Sequence, residues 1–64
     1  MIKVVFLRDK RSVEVEAKNV SEVFSKLSIL REQYVVIKNG RIVCEDELLS
    51  EGDAIELFTV ASGG

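Results

Sequence analysis

Only one stretch of this chain carries the period of a helix, and both of its flanks read as strand. Val20, Val23, Phe24, Leu27 and Leu30 recur at i, i+3, i+4, i+7 and i+10, which lines one helical face. Ser21, Glu22, Ser25, Lys26 and Ser28 fall on the opposite, wet face. Asn19 is placed to act as N-cap, and Glu22, three residues on, can reach back in a capping-box arrangement. The start of this helix is better marked than its end, and the apolar spacing runs on to Leu30.

The segments on either side have other periods. Residues 1–7 form a short apolar run with one lysine, which reads as a strand buried on both faces. After a polar turn at Asp9, Lys10 and Arg11, residues 12–17 alternate Val13, Val15 and Ala17 with Ser12, Glu14 and Glu16. That is a half-buried strand, and the pair reads as an N-terminal hairpin. Residues 34–38 are a third strand. Asn39-Gly40 joins it to residues 41–44, because both central positions of a type I′ turn require positive φ. A loop follows with Leu48 and Leu49 as its expected apolar anchors, then a turn at Glu51-Gly52-Asp53. Residues 54–60 are the last strand, with Ile55 and Leu57 on one face and Glu56, Phe58 and Val60 on the other.

Five strands and one helix in the order ββαβββ leave one sensible packing, in which the apolar face of the helix covers one face of the sheet. The first and last strands are the most continuously apolar, so they are expected to be central and adjacent. They would run parallel, because the helix crosses over between the two halves. This is an α+β fold, the ubiquitin-like β-grasp, with a mixed five-stranded sheet packed on one helix. Residues 1–60 are expected to form the domain and residues 61–64 a flexible tail ending in Gly-Gly.

Length and composition narrow the chemistry. A chain of 64 residues holds one modest core, since a domain this small buries only about 60% of its unfolded surface. A deep, walled cleft is hard to house in it. There is no His and one Cys, Cys44, which argues against zinc sites built from Cys and His, against His-based acid–base catalysis and against an internal disulfide. Cys44 itself reads as a small core or edge hydrophobe of an apolar strand rather than a redox thiol. No metal site and no bound cofactor are expected. Nine Lys and Arg against eleven Asp and Glu are interleaved along the chain, which does not point to nucleic acid. The densest basic stretch, Arg8-Asp9-Lys10-Arg11, reads as a solvated turn, and Glu45-Asp46-Glu47 lacks the ligand alternation and glycine of a calcium loop. No run approaches the length of a membrane span. The expectation is a cytoplasmic protein, monomeric when free, with no membrane partner. None of the five lysines, at 3, 10, 18, 26 and 38, has a context that marks it as an acceptor.

The end of the chain offers different chemistry. Beyond Val60 come Ala61, Ser62, Gly63 and Gly64, with no bulky side chain. A frayed terminus would look similar, but a Gly-Gly end arises by chance in only roughly 0.5% of chains, which disfavours that reading. Two glycines let a backbone enter a narrow channel, and the last five residues can extend roughly 17 Å. What arrives is a carboxylate with a reference pKa of about 3.3 to 3.7, ionised at neutral pH and a poor electrophile. It needs activation, and the evident route is transfer to ATP to give an acyl-adenylate on a partner that supplies the phosphate-binding site.

The stretch Gly52-Asp53-Ala54-Ile55-Glu56-Leu57-Phe58-Thr59-Val60-Ala61-Ser62-Gly63-Gly64 closely resembles the ThiS family of sulfur carriers. The segment from Ile37 to Val43 with its acidic loop resembles the matching hairpin, and the related MoaD carriers are similar in fold and tail. The resemblance covers the whole chain in length and element order, and the last dozen residues or so in detail. It implies a carrier rather than an enzyme. A ThiF- or MoeB-like activating enzyme would use ATP to adenylate Gly64. A sulfur donor would then displace AMP to leave a thiocarboxylate, which a sulfur-acceptor enzyme such as thiazole synthase would consume in thiamine biosynthesis. Gly63 and Ser62 would give the thin approach to the partner's active site. Phe58 and Val60, just before the tail, are candidate docking contacts, although a loop of the domain could equally cover Phe58. The same features suit a MoaD-like donor for molybdopterin, a donor for tRNA thiolation, or a ubiquitin-like modifier conjugated through Gly64 to lysines. An interaction module with an inert tail would use the open sheet face instead.

Overall fold

The computed structural model describes residues 1–60 of the chain. The element order is β1 (Ile2–Phe6), β2 (Arg11–Val15), α1 (Val20–Leu27), a 3-10 turn (Arg31–Gln33), β3 (Tyr34–Lys38), β4 (Arg41–Val43) and β5 (Ala54–Thr59). The strands form one sheet in the order β2-β1-β5-β3-β4. β1 and β5 are parallel neighbours, with Val4 beside Ile55 and Phe6 beside Leu57, and every other pairing is antiparallel. The central, parallel placement of the first and last strands is as their apolar content predicts, and the ubiquitin-like β-grasp expected from the pattern is the observed fold.

The core lies between α1 and one face of the sheet. Ile2, Val4 and Phe6 of β1 and Ile55 and Leu57 of β5 meet Val20, Val23 and Phe24 of the helix, with Val36 of β3 and Leu49 from the loop after β4. Burying side chains of this size stabilises by about 1.5 to 3 kcal/mol each relative to exposure, so removing one from the middle is costly. Tyr34 closes the end of the core against both Phe6 and Phe24, with ring centroids 6.0 and 6.2 Å away.

β1 departs from expectation. It is buried on one face only, with Ile2, Val4 and Phe6 inward, Lys3 exposed and Val5 half-buried. The single helix covers one face of the sheet, so the odd-numbered residues of β1 face outward however apolar they are. The apolar run concealed a strand with one open face.

The two ends of α1 also differ from one another. At the start, Asn19 Oδ1 accepts from the Glu22 N–H at 2.8 Å, as the capping reading requires. Glu22 Oε1 accepts in turn from the Lys18 N–H, one residue earlier than in the usual box. At the end, Ser28 adopts the left-handed conformation with φ 57°, Ser28 N–H donates to Ser25 O, and Ile29 N–H donates to Phe24 O. This is a Schellman closure, and it stops the helix at Leu27. Leu30 is therefore not on the helical face and is exposed, while Ile29 takes the inward place beside the core.

The β3–β4 hairpin turns on Asn39 and Gly40, both with positive φ, at 55° and 77°. β4 stops at Val43, so Cys44 lies just beyond the strand and is exposed rather than a core or edge hydrophobe. Of the two leucines expected to anchor the following loop, Leu49 is buried and Leu48 is 74% exposed. The loop is held by main-chain bonds instead, with Val20 N–H donating to Glu47 O, Ser21 N–H to Glu45 O, and Leu49 N–H to Lys18 O. Lys38 completes the hold. Its ammonium donates to Leu48 O at 3.0 Å and to Glu47 Oε2 at 3.2 Å, and lies 3.6 Å from Asp53 Oδ2.

Candidate functional site

Two features meet at the end of β5. The first is the way the strand is held up to its last described residue. Leu7 N–H donates to Leu57 O at 3.1 Å from the β1 side, and Val60 N–H donates to Gln33 O at 3.0 Å from the 3-10 turn. Tyr34 stands opposite Thr59 in the β3 ladder. The central strand is thus bonded to the β1 side as far as Leu57, and to the β3 side as far as Val60, where residues 61–64 begin. Ser62, Gly63 and Gly64 lie outside the described residues.

The second feature is the face of the sheet that α1 does not cover. Strand alternation puts Glu56 and Phe58 of β5 on it, opposite to the buried Ile55 and Leu57, and Val60 follows just past the strand. Phe58 is 53% exposed and Val60 36% exposed, so the domain's own loops do not cover Phe58. Register extends the patch to both sides. Val35 is directly across from Phe58, Ile37 from Glu56, and Ile42 from Ile37. On the β1 side Val5 is paired with Glu56, and Leu7 follows with 37% of its surface exposed. Ile42 is the most open of all at 77%.

Sequence reasoning singled out Phe58 and Val60 and missed Val5, Leu7, Val35, Ile37 and Ile42. Tyr34-Val35-Val36-Ile37 is apolar throughout, so its composition does not say which face is covered. The count of layers does. One helix covers one face of a five-stranded sheet, and alternate residues of every strand must stand on the other.

Elsewhere on the surface, an open groove beside β4 is lined by Val20, Phe24, Tyr34 and Cys44, with the Arg31–Glu45 ion pair at 2.9 Å on its wall. The basic turn is solvated as expected, with Lys10 in a positive-φ position and the Arg11 guanidinium 4.5 Å above the Phe6 ring, capping the core. Of the five lysines, Lys38 is committed to the loop and Lys26 Nζ donates to Glu16 O. No helix among the described residues is long and apolar enough to cross a membrane.

A single helix cradled by a mixed sheet, with the last strand central and parallel to the first, defines a ubiquitin-like β-grasp domain. The ThiS family matches residues 3–64, which is nearly the entire sequence and includes the glycine pair at 63 and 64. The chain belongs to the ThiS family, whose members are small sulfur carriers that work with activating enzymes and sulfur acceptors. No curated protein matched the chain in a sequence comparison.

Proposed function

We propose that this protein carries sulfur on the carboxyl group of Gly64 and delivers it for thiazole formation in thiamine biosynthesis. The observation that supports this most directly is the family match running through Gly63 and Gly64, joined to a central strand bonded to the β1 side as far as Leu57 and to the β3 side as far as Val60. A firmly held strand end lets a docked domain aim a short tail, and residues without large side chains suit a narrow channel.

The chemistry divides between carrier and partner. A ThiF- or MoeB-like activating enzyme binds ATP, and the Gly64 carboxylate attacks the α-phosphorus with loss of pyrophosphate. The resulting acyl-adenylate is a good electrophile where the carboxylate was a poor one. The outer sulfur of a donor persulfide then attacks the acyl carbon and AMP leaves. A thiol cleaves the resulting acyl disulfide, departing as a disulfide with the donor's remaining sulfur, and a thiocarboxylate remains for the acceptor enzyme, a thiazole synthase. The carrier contributes the acyl carbon, the thin approach through Ser62 and Gly63, and the docking face around Phe58 and Val60. It turns over no substrate itself, works in the cytoplasm, and is a monomer between partners.

Removing Gly64 tests this without disturbing the sheet. The shortened chain should keep its melting temperature and lose all ATP-dependent modification by the activating enzyme. Continued sulfur delivery by the shortened chain would contradict the proposal, and isopeptide adducts of Gly64 on lysines would reassign the same chemistry to protein modification.

A further inference from the structure

Glu56 is the one acidic side chain in the middle of the open face's apolar patch. It stands on the central strand with Val5 directly beside it in β1 and Ile37 directly beside it in β3, and Phe58 follows two residues on. Among the described residues no cation lies within ion-pair distance of it. The basic residue on the same face, Lys3, is in register with Ala54 and Glu14 instead.

In water this carboxylate is solvated and harmless. Under a docked partner it is not, because closing an apolar surface over Val5, Ile37 and Phe58 strips the water from Glu56 and leaves a charge without a counterion. An entirely apolar partner surface is therefore strongly disfavoured. A second copy of the chain fares no better, since a two-fold axis through the centre of the patch brings Glu56 against Glu56.

We propose that the partner surface received by this face is apolar with one arginine or lysine near its centre, which pairs with Glu56 and fixes the register of docking. This rests on the reading of the open face as the docking surface for the activating enzyme. Arginine suits the position better than lysine, because a guanidinium can fork onto the carboxylate while its flat face lies along the neighbouring Phe58 ring. The pair selects as well as binds. Apolar surfaces that lack the cation are rejected by the unpaired charge, and those that carry it are admitted.

The test measures binding of the purified cognate activating enzyme to the full chain and to the Glu56→Gln, Glu56→Lys and Phe58→Ala variants, each checked for an unchanged fold by circular dichroism. The expected result is a dissociation constant raised about tenfold by Glu56→Gln and about a hundredfold or more by Glu56→Lys. Reversing the facing basic residue of the enzyme to glutamate should restore binding to the Glu56→Lys chain. If Glu56→Lys binds as tightly as the unaltered chain while Phe58→Ala binds weakly, the face docks without a cation and the inference is overturned. If Phe58→Ala also binds unchanged, the open face is not the docking surface, and the premise fails with the inference.

Discussion

Phe58 sits directly across from Val35 in the antiparallel ladder between β5 and β3, and both side chains stand on the sheet face that the helix leaves uncovered. An aromatic ring on the central strand, two residues from the end of the described domain, is well placed to anchor a partner and poorly placed to hold up the core. Its two roles can be separated by mutation.

Phe58→Ala should cost about 1 kcal/mol of stability or less, the scale of a cross-strand pair on an open face. Activation at Gly64 should suffer more. Loss of a central aromatic anchor predicts kcat/KM for adenylation lower by about tenfold or more, with KM carrying most of the change. Thermal melts beside pyrophosphate-release kinetics will read the two effects separately, and a large drop in stability would return Phe58 to a structural role.

Ser28 ends the helix in a conformation that suits glycine better than serine. With φ 57° it occupies the left-handed region where a Cβ is penalised. Ser28→Gly should therefore stabilise the domain by up to about 1 kcal/mol, offset in part by the freer unfolded chain. For a domain of this size that is a rise in melting temperature of up to about 8 °C. A fall would mean that the Ser28 side chain makes a contribution beyond the backbone turn.

Lys38 fastens the loop between β4 and β5 through Leu48 O, Glu47 and Asp53. Its side chain is only 17% exposed, so most of its stem packs against the domain. Lys38→Met keeps the apolar stem and removes the three contacts, and should destabilise by about 1 to 2 kcal/mol. Hydrogen exchange should quicken first at the Glu47 and Leu49 amides, which bond within and beneath that loop. Uniform loss of protection across the sheet would place the effect elsewhere.

The parts of this fold that were legible in sequence are those with a period or a local chemical demand. Asn39-Gly40 needs positive φ and has it, Asn19 caps the helix as its side chain permits, and the alternation of β5 sorts Ile55 and Leu57 from Phe58. The differences share a cause, which is that apolar character alone does not decide burial. Leu30 and Leu48 are exposed because a Schellman turn and a set of main-chain bonds, neither visible in the spacing of leucines, decide where the chain goes. Val5 and Ile37 look like core and belong to the open face, since inward and outward places in a strand are assigned by the layer above it. Glu56 shows the converse. In sequence it is one acid in an alternating strand, and only the register of its neighbours on both sides makes it a lone charge in an apolar patch.

The account stands or falls on the carboxyl group of Gly64. Incubating the full chain with its activating enzyme, ATP and a sulfur donor, and then weighing the intact protein, tests it most directly. The mass should rise by the difference between one sulfur and one oxygen atom, with the change located in the C-terminal Gly63-Gly64 fragment. An unchanged mass in the presence of an enzyme shown to be active would contradict sulfur carriage by this protein.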